Sequence, residues 1–182
     1  MTDPPHSLGL VIDFVNTRDI ERKTDELADR DGAASWFRGR NLIENGSTLS
    51  PADRERAVQL REALRSLMLV NNGGDADPDA GRVLDRVARE GRLAVAFGED
   101  GTATLQPRGS GFPAALAGLL VPVAMATADG TWLRVKACRP ADCHWAFYDR
   151  SRNRSGIWCE MAVCGNRTKV RAYRRRARGS RS

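Results

Sequence analysis

The sequence predicts an α+β chain. A mainly helical N-terminal domain with one β-hairpin is followed by a small cysteine-bearing module that ends in a basic helix. Three observations carry this reading. Two stretches show complete helix grammar, with cap, proline, apolar stripe and stop. Leu93, Val95 and Phe97 alternate and lead into Gly98-Glu-Asp-Gly101, a hairpin signal. All four cysteines lie in residues 138–182, which carry 12 Lys+Arg against 3 Asp+Glu, a net of +9. Residues 1–137 carry 17 against 20, a net of −3, so the overall +6 hides a mildly acidic body and a basic tail. At 182 residues, 41% hydrophobic and 29% charged, the chain can bury a real core. The split in charge argues against a uniformly basic ribosomal-type protein.

Taken in order, Leu8 to Val15 is a short apolar run, helix or strand by pattern alone, interrupted by Asp13. Residues 18–32 are charged and read as loop or frayed helix. Ala33 to Asn41, with Trp36 and Phe37, reads as a short helix. The clearest helix starts at Ser50-Pro51-Ala52-Asp53: Ser50 caps, Pro51 takes the first helical position and Asp53 reaches back. Ala57, Leu60, Leu64, Leu67 and Met68 form its apolar face, and Asn71-Asn-Gly-Gly74 stops it. A second helix is capped by Asp77, starts at Pro78 and ends at Gly91. After the hairpin, residues 112–128 read as a buried apolar helix kinked at Pro122. Trp132 to Ala137 alternates as a strand and leads into the first cysteine. The change in charge and cysteine content sets the boundary near residue 130, giving domains 1–130 and 131–182.

The N-terminus, Met-Thr-Asp-Pro-Pro-His, has no basic stretch followed by an apolar one, so a cytoplasmic chain without signal peptide or membrane span is expected. In such a reducing compartment four cysteines favour a metal site over disulfides.

Cys138-x4-Cys143 and Cys159-x4-Cys164 are two matched pairs separated by 15 residues. Each pair supplies two thiolates from one turn, and the intervening loop brings the pairs together, which suits tetrahedral zinc. Four thiolates close the coordination sphere, so one structural Zn2+ is expected, with an iron–sulfur cluster as the alternative. His144 is then surplus as a ligand. Trp145, Phe147 and Trp158 read as an apolar cover, and Asp149 to Gly156 as a polar turn bearing Arg150, Arg152 and Arg154. The module reads as knuckle, hairpin and helix, a treble-clef-like plan. Gly165 is expected to let backbone amides approach a sulfur. In the helix that follows, Arg167, Arg171, Arg174, Arg175 and Arg178 share one broad face and Lys169 adds charge, while Val170, Tyr173 and Ala177 are expected to contact the module. A basic helix on a rigid metal module is a phosphate-binding element able to enter a major groove, so double-stranded DNA is the expected partner.

Cys164-Gly165-Asn166-Arg167, the matched upstream cysteines and Asp149-Arg-Ser-Arg-Asn153 resemble the CGNR zinc finger. Leu8-Gly-Leu-Val-Ile-Asp-Phe-Val-Asn-Thr17 and Leu60-Arg-Glu-Ala-Leu64 resemble the ABATE domain that precedes that finger in bacterial proteins. The family is regarded as stress-responsive transcriptional regulators. The resemblance implies Cys138, Cys143, Cys159 and Cys164 as zinc ligands and the helix from Asn166 as the DNA element. It also implies a ligand-sensing N-terminal domain, with Asp13, Asn16 and Trp36 as candidate sensor residues.

The function expected is therefore a zinc-containing DNA-binding regulator, possible as a homodimer. The alternative is a zinc-stabilised protein- or RNA-interaction module, and zinc release on oxidation is a variant. No enzyme is expected: the two histidines, His6 and His144, form no catalytic order, and no open metal triad or phosphate loop is present.

Overall fold

The structure is a computed structural model that describes the backbone of residues 6–179 and side chains from Leu8 to Arg174. Helix α1 (His6–Val15) buries Leu8, Val11, Phe14 and Val15, which settles the apolar run as helix. The charged stretch after it forms a minimal antiparallel ribbon, β1 (Arg18–Asp19) with β2 (Thr24–Asp25), in place of a loop or frayed helix. Helix α2 (Arg30–Arg38) begins three residues earlier than the apolar pattern indicates, because Asp29 caps it by accepting from the Gly32 N–H. It brings Trp36 and Phe37 beside Phe14, with ring centroids 5.3 and 5.9 Å away.

Helix α3 (Pro51–Val70) is the central strut. Its capping box forms as expected: the Ser50 Oγ accepts from the Asp53 N–H, and an Asp53 carboxylate oxygen accepts from the Ser50 N–H. Helix α4 (Pro78–Glu90) packs against it and ends at Gly91, where an added Cβ would lie 2.2 Å from the Ala117 Cβ. Strands β3 (Leu93–Phe97) and β4 (Ala103–Pro107) pair in register as the predicted hairpin. Val95 and Phe97 are 57% and 76% exposed while Ala96 between them is buried, so along this half of the strand the opposite face is the one turned inward.

The apolar segment is two helices, α5 (Gly111–Gly118) and α6 (Leu120–Ala128), broken at Leu119 and not at Pro122. Pro122 has no N–H for the Gly118 carbonyl and its ring crowds that carbonyl. The chain therefore restarts, and proline becomes the third residue of a new helix. Gly111–Ala128 is long and apolar enough to cross a membrane by length and composition. Here it supplies buried Leu116, Ala117, Leu119, Leu120, Val123 and Ala126 to the core of a globular unit.

Trp132–Arg134 is a 3₁₀ turn and only Val135–Ala137 is strand (β5), which pairs with β6 (Ala146–Tyr148). This hairpin straddles the first cysteine pair, whereas the sequence reading put it between the pairs. A π-helical turn, Met161–Gly165, leads into helix α7 (Asn166–Gly179). Val135, Ala137 and Ala146 belong to the same buried cluster as α1, α3 and α6, so β5 and β6 pack into the N-terminal body.

Candidate metal centre and basic helix

The hairpin β5–β6 ends in a knuckle. The Cys138 N–H donates to the Trp145 carbonyl, and the Cys143 N–H donates to the Pro140 carbonyl. This reversal places Cys138 and Cys143 side by side, and the π turn delivers Cys164 beside them. The four sulfur atoms lie within 4.8 Å of one another. Cys143, Cys159 and Cys164 form a triangle with edges of 3.7, 3.7 and 3.6 Å. A tetrahedron of Zn–S bonds of about 2.3 Å has edges of about 3.8 Å, so the donor set and its size both fit zinc. Trp145, Phe147 and Trp158 pack against the cysteines, as the sequence indicates.

So crowded, the thiols do not ionise alike. The Cys138 thiol hydrogen-bonds Cys143 and, with the Trp145 N–H, draws it down to about 5. Burial pushes Cys159 up to about 12. Cys138 is raised, first by its own hydrogen bond to Cys143 and then by burial. Four thiolates in this space need a dication to hold them, and zinc supplies that charge. The chain therefore carries one structural zinc site, formed by Cys138, Cys143, Cys159 and Cys164.

Gly165 does not have the use expected. Its N–H points to the Glu160 carbonyl, and an added Cβ would lie 2.5 Å from the Met161 sulfur. That sulfur ends a flexible, half-exposed side chain that can move aside, and the Gly165 N–H is turned to a carbonyl and not to a cysteine sulfur. His144 has a positive φ of 49° at the end of the knuckle, and its carbonyl accepts from Arg65.

The loop between the cysteine pairs is built on Asp149. Its carboxylate pairs with buried Lys136 at 2.7 Å and accepts from the N–H groups of Ser151 and Gly156. Burial raises the Asp149 pKa, but Lys136 and these donors outweigh burial and hold it at about 2. Lys136 Nζ also donates to the carbonyls of Arg154 and Gly156. Arg150, Arg152 and Arg154 are exposed on this loop.

On α7 the expected basic residues divide. Lys169 and Arg174 are exposed. Arg171 makes two bonds to Asp142, at 2.7 and 3.2 Å, and Arg167 reaches Glu21 at 2.7 Å and Asp142 at 3.5 Å. The Arg171 bonds come first in drawing Asp142 down to about 2. The side chains of Arg175 and Arg178 lie outside the described residues, as does that of Ala177. Val170 is 47% and Tyr173 68% exposed, so these two do not form the expected contact with the module. Among the described residues, helix α7 packs chiefly against the π turn.

The three candidate sensor residues serve separate purposes. Asp13 is exposed. The Asn16 amide is committed to the Ala146 backbone, donating to its carbonyl and accepting from its N–H. Trp36 is buried among Phe14 and Phe37, with the Arg40 guanidinium 4.1 Å over its ring. Its Nε1 has no hydrogen-bond partner among the described residues. A groove of about 820 Å³ lies elsewhere in the body, between the α2–α3 connection and the start of α5. Its lining includes Leu42, Asn45, Thr48 and Phe112.

Several residues that hold the site together carried no functional signal in the sequence. Asn71 and Asn72, legible only as a helix stop, donate side-chain hydrogen bonds to the carbonyls of Trp132, Val135, Ala137 and Ile157. Arg65 joins the Val15 carbonyl at 2.6 Å to that of His144 at 2.7 Å. The Asn-Asn pair after an amphipathic helix was the one available hint.

Comparison with known families agrees with this geometry. Residues 134–177 match the CGNR zinc finger, and residues 8–130 match ABATE, described as "Putative stress-induced transcription regulator". No curated protein matches the chain. With the ABATE match covering well over half of its length and the four-cysteine finger built directly onto it, the chain belongs to the ABATE family.

Proposed function

We propose that the protein is a zinc-containing, DNA-binding transcriptional regulator whose N-terminal domain senses a small ligand or stress signal. The observation that carries this reading is the placement of α7. It starts two residues after the last zinc ligand, on a turn fixed by that ligand, and presents Lys169, Arg171 and Arg174 to solvent. A helix so mounted has a set direction, which is what entry into a major groove demands. Arg150, Arg152 and Arg154 add charge on the neighbouring loop for phosphate contacts. The mildly acidic body stays off the backbone.

The groove beside Phe112 is the place proposed for the ligand, since the Asn16 amide is committed to the Ala146 backbone and Trp36 to the aromatic cluster. The role is non-enzymatic and cytoplasmic, and a homodimer would let two helices address a two-fold site. The experiment is selection of duplexes from a random pool at physiological salt, beside a zinc-stripped control. Enrichment of a sequence with zinc and none without it supports a specific regulator. No enrichment in either arm overturns it.

A second reading draws on Tyr173, 68% exposed on the same helix as the arginines. An aromatic beside guanidinium groups suits stacking on unpaired bases, and so an RNA-interaction module. Structured RNA competing better than duplex DNA would favour it.

A further inference from the structure

Arg167 and Arg171 stand one turn apart on α7 and converge on a single carboxylate. Arg171 grips Asp142 through both terminal nitrogens, and Arg167 reaches the same group at 3.5 Å. Arg167 also donates to Glu21 at 2.7 Å. Asp142 comes from the knuckle of the first cysteine pair, and Glu21 from the ribbon β1–β2 of the N-terminal body. Two guanidinium groups closing on one pair of oxygens is the arrangement that recognises a phosphodiester.

We propose that Arg167 and Arg171 form a binding site for a DNA backbone phosphate, and that Asp142 and Glu21 fill it in the free protein until the phosphate displaces them. The inference rests on the DNA-binding reading above and adds how that binding is held in check. The partners are accessible: the side chains of Arg171, Asp142 and Glu21 are 54%, 43% and 49% exposed, and that of Arg167 is 28%. Ion pairs this open are weak, so a phosphate can replace them. Glu21 makes the check report on the body, because it ties the first basic residue of α7 to a ribbon of the N-terminal domain.

The exchange has a signature in salt dependence. An arginine leaving a carboxylate for a phosphate uncovers that carboxylate, which attracts a cation in turn. The counterion released from DNA is then offset, and the affinity is less salt-dependent than the number of arginine contacts implies.

The test uses the full-length zinc-loaded chain, with fluorescence anisotropy on one labelled duplex across a salt series. The variants are Glu21→Gln, Asp142→Asn and the double substitution, with zinc content measured for each. Glu21 lines the same pocket as Cys143, Cys159 and Cys164 but belongs to the β1–β2 ribbon and not to the knuckle, so Glu21→Gln, with its zinc content confirmed, keeps the test decisive where Asp142→Asn loses metal. Removing the carboxylates should tighten binding roughly three- to tenfold. It should also steepen the log–log salt slope by about 0.9 for each arginine released. Duplex binding by the wild type, with Glu21→Gln no tighter and no more salt-dependent, overturns the inference and leaves the function standing. Failure of every form to bind duplex overturns both.

Discussion

Asn16 and Ala146 exchange two hydrogen bonds: the Asn16 amide donates to the Ala146 carbonyl at 2.9 Å and accepts from its N–H at 2.8 Å. The side chain thus pairs with the edge of β6 like one residue of a third strand and welds α1 to the finger. Replacing it by alanine leaves a buried N–H and carbonyl unpaired. Asn16→Ala should destabilise the chain by about 2 kcal/mol. Urea unfolding measures this, with zinc stoichiometry expected to stay at one. An unchanged midpoint would show that the weld contributes nothing.

The Lys136–Asp149 pair should be far more sensitive than the surface pairs. Both side chains are nearly inaccessible, at 6% and 2% exposure, so neither charge has water to fall back on. Asp149→Asn strands the ammonium and should cost about 3 kcal/mol. Amide exchange at Ser151 or Gly156 should accelerate in the variant, because each N–H has its own carboxylate oxygen and the amide keeps only one acceptor.

Acid should remove the contribution of Asp25. Burial raises its pKa, but the hydrogen bonds from Arg61 and the Leu27 N–H, with the Arg61 and Arg18 charges, outweigh burial and leave it below the ordinary 3.8. A folded value below the unfolded one means stability that is complete above the unfolded value. It is lost as pH falls through the folded value. Asp25→Asn should therefore be less stable than wild type by about 2 kcal/mol at neutral pH. The gap should close below 3.8 as the wild-type carboxyl takes up its proton. A gap that persists undiminished at lower pH would mean that the charge of Asp25 is not what matters.

Chelating the metal should disturb more than the finger. Small metal modules draw much of their folding free energy from the ion. Here β5 also fills the body's core through Val135 and Ala137. Zinc-stripped protein should lose exchange protection in β5 and β6 and melt at a lower temperature than the loaded form. An apo chain whose residues 8–130 melt unchanged would show that the finger is only a passenger.

Much of this was readable wherever the physics is local. The Ser50–Asp53 box, the Asp77 cap and the two cysteine pairs depend on neighbours two to five residues apart, and the pattern displays them. Pro122 by itself indicates a kink at its own position, yet a proline acts on the carbonyl four residues before it, that of Gly118, so the break falls just past it at Leu119. The amphipathic pattern of α7 suggested a packed face at Val170 and Tyr173. A stripe shows which residues face together but not whether anything faces them. The roles of Asn71, Asn72 and Arg65 depend on partners more than sixty residues away or on backbone carbonyls, which have no letter in the sequence. The division of the basic residues into paired and open had the same origin, since Glu21 meets Arg167 across 146 positions.

The membership of Val135 and Ala137 in the body's core has a thermodynamic consequence. The two family segments meet inside one packed interior, so a metal bound at the knuckle and any effector taken by the proposed groove would act on the same packed unit. Linkage then works in both directions: whatever factor the effector applies to zinc affinity, zinc applies to the effector. Metal supply would set the sensitivity of the sensor, and effector occupancy would set how firmly the finger keeps its zinc.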